Sequence, residues 1–258
     1  LGEQMIELMQ SGQSRELQLL FANSIQITEA AKRAPAKLRQ PIWTKVGESA
    51  DQWYVPGQFT TLIGYEWTSM VTGDNLHRVV LFRDNGELTK RQLPYSAQDS
   101  TDPEDLWRHL ADYESATGGQ VLAIAHNGNV SNGRMFSPAR ENGAALDENY
   151  AKARSRWEPI YEVTQIKGDG ETHPLLSPDD PFADFETWDD GNITLTTAKE
   201  PEMLPNEYAR SALKQGLAHG QALGANPFKF GMIGSSDMHT ALSTTEEDNY
   251  FGKFVHDE

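Results

Sequence analysis

The sequence predicts an α/β fold of barrel-like assembly, and three observations predict it. Short apolar segments alternate with segments of helical periodicity along the chain. The apolar segments are continuous rather than alternating, as in strands of a parallel sheet buried on both faces. Several of them run into Glu, His or Asp at or near their ends. That placement gathers side chains at one end of a parallel barrel, where such folds build their sites.

Residues 1 to about 34 read as helical, with Met5, Ile6 and Met9, then Leu17, Leu19, Leu20 and Phe21, spaced for one apolar face. Asp51–Trp53 closes a second, short helix before Pro56-Gly57. QFTTLIGYEW (58–67) is the first strand, and RVVLF (78–82) follows the polar stretch TSMVTGDN as the second. A helix starts at Asp102-Pro103-Glu104, with Asp102 as N-cap and Pro103 in its first position, and runs to about Ala116 before Gly118-Gly119. QVLAIAH (120–126), WEPIYEVTQI (157–166) and KFGMIGSS (229–236) are the remaining strands. Helices are expected at 146–156 and 206–223, the latter burying Ala209, Leu213 and Leu217 at i, i+4 and i+8. The Asp/Pro-rich stretch from about 168 to 203 has weak periodicity and reads as an irregular insertion or lid on a single domain spanning 1–258.

Composition narrows the function. A chain of 258 residues with 38% hydrophobic content, six Trp, ten Phe and eight Tyr can fill a core. No apolar run reaches the roughly 18 residues needed to cross a bilayer, so no membrane partner is expected. The net charge of -16 and the lack of a Lys/Arg cluster argue against nucleic acid as a partner. An anionic small molecule can still bind if metal ions make its site locally positive. With zero cysteines there is no disulfide, thiolate nucleophile or Cys-ligated zinc. The reading leans to a periplasmic or secreted location over a cytoplasmic one.

The ligand-capable residues are Glu66 in LIGYE, His126 in VLAIAH, and Asp237 and His239 in MIGSSDMH, with His77 just before RVVLF. Imidazole and carboxylate together are the ligand set of hydrolytic Zn, Mn or Fe sites. In an extended Asp237-Met238-His239, residues i and i+2 point the same way and can reach one metal cluster. The same D-x-H also occurs as a solvated surface turn, and His126 also fits a hydrogen-bonded core position. His109 reads as a solvated helix-face residue, His219 as a helix-end residue, and His173 as a loop residue with a structural role ahead of a ligand role.

GYEWTSM, NLHRVVLFRD, AIAHNGN, EVTQIKGD and NPFKFGMIGSSDMHT, in that order, resemble the PHP (polymerase and histidinol phosphatase) superfamily, and more narrowly a bacterial branch of it. The similarity spans about Gln58 to Thr240. The resemblance implies a distorted (β/α)7 TIM-like barrel holding two or three divalent transition metal ions, Zn, Mn or Fe. It implies Glu66, His77, His126, Asp237 and His239 as metal ligands, with Glu66 bridging two ions. PHP proteins open with an H-x-H strand, and Leu1–Gln58 contains no histidine. The barrel is therefore expected here without its first strand or strands. An N-terminal part of a longer polypeptide, or a second chain, would complete it.

The expected function is metal-dependent hydrolysis, with a phosphomonoester or phosphodiester as substrate and Glu66 and Asp237 as catalytic carboxylates. Arg78 and Lys167 are candidates to hold phosphate oxygens, and Asn127 to donate to the transition state. The alternatives are another metal-assisted hydrolysis, of an amide or sulfate ester, or a metal-stabilised binding domain without turnover. Specificity is expected from 168–203 and from the 69–76 loop.

Overall fold

The computed structural model describes residues 2–13, 16, 17, 20 and 34–239. Helices α1 (Gly2–Gln10) and α2 (Ala36–Trp53) precede β1 (Ile63–Trp67), β2 (Met70–Val71), β3 (Asp74–Asn75) and β4 (Arg78–Phe82). There follow α3 (Gly86–Thr89), α4 (Pro103–Thr117), β5 (Val121–His126), α5 (Glu148–Trp157) and β6 (Ile160–Gln165). The chain continues through β7 (Gly168–Asp169), α6 (Ala209–Leu223) and β8 (Gly231–Gly234). The expected α/β class is present, and each expected strand contains an observed one.

Helix boundaries differ from expectation near Gly12 and Pro41. The helical stretch expected through residue 34 is interrupted after Gln10, where Gly12 turns the chain at φ 69°; the described residues 16, 17 and 20 are helical again, and the rest of 14–33 lies outside the described residues. The short helix at 51–53 is the end of the 18-residue α2, which carries Pro41 in its interior. Trp43 anchors that helix, buried and donating from Nε1 to the Thr89 carbonyl at 3.0 Å. Helix α4 starts as expected, with Asp102 Oδ1 accepting from the Glu104 amide at 2.9 Å.

Among the described residues the main sheet has six strands, β1–β4–β5–β6 in line, with β7 and β8 both paired to β6. An all-parallel arrangement was expected, but β1–β4 and β4–β5 are antiparallel, while β5–β6 and β6–β8 are parallel. Parallel neighbours need a crossover of a dozen or more residues. Segment 68–77 holds only the β2–β3 hairpin, which is too short and accounts for the β1–β4 pair; β4–β5 is antiparallel although 83–120 carries α4 and has the length for a crossover. Helices α5 and α6 supply the crossovers into β6 and β8.

Successive side chains on a strand face opposite ways, so the register sorts the sheet into two faces. Ile63, Trp67, Val80, Phe82, Val121 and Ala123 face one way and pack with Trp43, Leu106, Leu110 and Tyr113. Ala125 and Tyr161 continue that face against Phe136, Ala209, Ala212 and Phe228. In α6 the buried positions are Ala209, Ala212 and Gly216, whereas Leu217 is 73% exposed. The helix turns its small residues inward because it lies close on segment 226–228: a Cβ on Gly216 would come within 2.3 Å of Asn226 Oδ1. The expected Leu213–Leu217 stripe has no room there.

Arg78, expected to hold substrate phosphate, belongs to this packed face. It is 1% exposed and donates from Nε to Glu158 Oε1 at 2.9 Å, with its guanidinium 5.8 Å from the Trp67 ring centroid. Trp107 Nε1 donates to the same oxygen at 2.9 Å, and Arg154 Nε lies 3.4 Å from Glu158 Oε2. The sequence places Arg78 one position after His77, which is why the strand turns it to the opposite face.

Burial alone would raise the Glu158 carboxyl, but the charges of Arg78 and Arg154 and their hydrogen bonds hold it below the ordinary glutamate value. A carboxyl depressed in the folded state stabilises the fold above its unfolded-state value of about 4.3, and that contribution is lost as pH falls through the folded-state value. Glu158→Gln leaves two buried guanidinium groups without their carboxylate. It should cost ~3–5 kcal/mol in urea unfolding at pH 7, and stability should fall less on acidification below pH 5 than in the parent. An unchanged midpoint would refute this role.

Candidate metal centre

The register that buries Arg78 also assembles a cluster on the opposite face. Glu66 pairs with Val79, and Val79 with Ile124, so all three share that face. Two residues on, His77 precedes β4 and His126 ends β5, and continuing the register places them opposite each other. Their rings meet edge to face with centroids 5.7 Å apart.

Glu66 Oε1 accepts from His77 Nδ1 at 2.9 Å and from His126 Nε2 at 3.0 Å. One ligand atom from each of Glu66, His77 and His126 lies within 4.8 Å of the others. His77 and His126 are 7% and 2% exposed, whereas the Glu66 side chain is 32% exposed. The imidazoles therefore form the floor of the site and the carboxylate its open edge.

Burial would raise the Glu66 carboxyl, but hydrogen bonds from His126 and His77 outweigh it and hold the group well below the carboxylate range. His77 moves down because burial disfavours its charged form, against the pull of Glu66. The centre thus offers an ionised carboxylate and, at His77, a neutral imidazole. These are the protonation states that metal ligation requires.

Hydrogen bonding points the same way. With each ring proton directed at Glu66, His77 Nε2 and His126 Nδ1 are buried without a partner. Such atoms are costly, on the order of 1–3 kcal/mol each. A cation between the carboxylate and the two rings would replace the shared protons and let each imidazole carry its proton on the outer nitrogen. The donor set fits a divalent transition metal, and a Glu/His/His group able to bind one is present.

Asp237 and His239 stand outside this three-residue group. Their segment follows β8 and is not extended: Asp237 takes φ 53°. The two side chains nevertheless meet, His239 Nε2 lying 3.2 Å from Asp237 Oδ1. Lys167, in the β6–β7 turn, forms an ion pair with Asp237 Oδ2. Asn127 sits at φ 52° straight after His126, is 3% exposed, and accepts from Gln165 Nε2 at 2.7 Å. The structure gives it the turn role and turns its side-chain oxygen into the protein, away from the donor role expected for it.

No local sequence pattern singles out two positioning residues, Asn75 and Gln165, or the buried carboxylate Glu162. Asn75, fully buried, donates from Nδ2 to the carbonyls of His126 and Asn127 at 2.8 and 3.1 Å and so fixes the bend that presents His126. Gln165 holds Asn127 from β6. Glu162 pairs in register with His126 and is 7% exposed. The signal for Glu162 in the sequence is a carboxylate inside the strand YEVTQ.

The two loops expected to carry specificity are joined. Asn192 Nδ2 donates to the Thr72 carbonyl at 3.2 Å and to Asp74 Oδ1 at 3.1 Å. Among the other histidines, His173 is buried and pairs with Asp189 at 2.8 Å, a structural role. His109 is half-buried and stacks on Tyr95 with centroids 4.8 Å apart, rather than lying on a solvated face. His219 lies edge-on to Phe228.

The family model described as "Protein of unknown function (DUF3604)" matches residues 1–258, and the chain belongs to that family. No curated protein and no solved structure matches it.

Glu66→Gln or His126→Ala should weaken Mn(II) or Zn(II) binding at least tenfold in calorimetric titration; unchanged affinity would remove these residues from the ligand set. A lowered His77 stays neutral, and so able to ligate, below the usual histidine value. Bound metal should accordingly survive acidification through about pH 6.5 and be lost only at lower pH. Metal content after dialysis across pH 5–8 measures this.

Proposed function

We propose that this protein is a metal-dependent hydrolase of PHP-like type whose substrates are phosphoesters. The observation that most supports this is the Glu66–His77–His126 cluster: an ionised carboxylate and two buried imidazoles on one sheet face, at one end of adjacent strands. In this reading the parallel β5–β6–β8 portion, with its helical crossovers, belongs to a distorted (β/α)7 barrel, and the face carrying the cluster is the barrel interior.

Two or three divalent ions, Zn, Mn or Fe, would be held by Glu66, His77, His126, Asp237 and His239. When bound, such ions polarise a phosphoryl oxygen and make water acidic enough to supply a nucleophile near neutral pH. Glu66, open to solvent on one side, orients an incoming water as a hydrogen-bond acceptor. His77 and His126 add no negative charge, which matters for an anionic substrate in a chain of net charge -16. Lys167, ion-paired with Asp237, supplies a positive group for a phosphate oxygen once its partner is engaged elsewhere. The joined 69–76 and 191–197 loops form the wall that selects the leaving group.

Protein loaded with Mn(II), Zn(II) or Fe(II) should turn over nitrophenyl phosphate mono- or diesters in preference to a nitrophenyl sulfate or an anilide. His126→Ala and Asp237→Ala should each reduce kcat/KM about 100-fold or more with the thermal midpoint retained. Preferential hydrolysis of sulfate or anilide would reassign the substrate. Metal binding with no turnover on any of them would make this a binding domain.

A further inference from the structure

We propose that Glu162 is a ligand of a second divalent cation, bound beside the Glu66–His77–His126 centre on its Asp237 side. The inference rests on the metal-hydrolase reading and adds a ligand which that reading does not contain.

The register places the residue. His126 and Glu162 are Cα partners on parallel neighbours β5 and β6, so their side chains leave the sheet on the same face. Neighbouring strands lie about 4.8 Å apart. Glu162 therefore continues the row that begins with Glu66 and passes through the two histidines. Its Cα partner on β8 is Ile233. Beyond that strand the chain reaches Ser235, which hydrogen-bonds the Glu162 carboxyl, and Asp237, whose charge acts on it.

The carboxyl is not used the way a structural glutamate is used. Glu158, equally buried, receives two guanidinium groups and an indole N–H. Glu162 is 93% buried by its 7% exposure, yet its Oε1 has no hydrogen-bond partner. A buried acceptor with an unused oxygen calls for a cation or an unaccounted donor. Glu162 does not join the tight group of Glu66, His77 and His126, so it addresses a separate position. On that side Lys167 forms an ion pair with Asp237. A divalent ion shared by Glu162 and Asp237 takes the place of that ammonium and turns Lys167 toward the substrate anion. Two carboxylates are a suitable partial set for a hard or borderline cation, with water or His239 completing it.

The test uses the full chain and Mn(II). At saturation, metal analysis should find one ion per chain fewer in Glu162→Gln than in the parent, and the spin-coupled electron paramagnetic resonance signal of adjacent Mn(II) ions should be lost. Glu66→Gln should remove the other ion. Glu162→Asp keeps the charge but draws it back by one methylene. It should fold with an unchanged thermal midpoint and bind the second ion about tenfold or more weakly, the first unchanged. If Glu162→Gln and Glu162→Asp retain the parental stoichiometry and affinities, the inference is overturned while the hydrolase reading stands. If the parent binds no Mn(II), or Glu66→Gln changes nothing, both fall.

Discussion

The antiparallel register of β1, β4 and β5 is the constraint on which the rest depends. It aligns Glu66 with Val79 and Ile124, and two residues further along it sets His77 against His126. Because side chains alternate, the same register turns Trp67, Arg78 and Ala125 into the core. A slip of one residue would exchange the two sets, burying Glu66 in the apolar layer and exposing Trp67. Site and core are thus two readings of one hydrogen-bond ladder, and the core's hydrophobic contacts hold the site's geometry.

The electrostatics divide along the same line. On the packed face a buried carboxylate, Glu158, is neutralised by Arg78 and Arg154. On the other face imidazole N–H groups meet Glu66, and Glu162 keeps an unpartnered oxygen. Guanidinium groups fully satisfy a buried carboxylate and close it to other ligands. Imidazoles hold it ionised while giving way readily to a cation. The contrast separates a structural ion-pair network from a carboxylate–imidazole group of metal-ligand type.

The turn after His126 shows how polar groups rather than apolar mass set the precision of the site. Asn127 at φ 52°, Asn75 bridging two carbonyls, and Gln165 bonded to Asn127 Oδ1 form a buried hydrogen-bonded knot. Such a knot is rigid because any loosening leaves buried donors and acceptors unmet. It fixes where β5 stops and therefore where His126 Nε2 points.

The sequence by itself determined the α/β class, the position of the strands and the caps of α4, and it placed Glu66, His77 and His126 at or near strand ends. Continuous apolar runs, Asp102-Pro103 and ligand-type residues at strand ends are local signals, legible without a partner. Strand direction, the face on which Arg78 lies, the inward row Ala209–Ala212–Gly216 and the burial of Asn127 were decided only by tertiary structure. So was the arrival of Glu162 beside His126. A residue's face is relative: it is fixed by which neighbour a strand pairs with and in what register, and by how closely a helix can approach. Those quantities belong to pairs of distant segments, and no single stretch of sequence contains them.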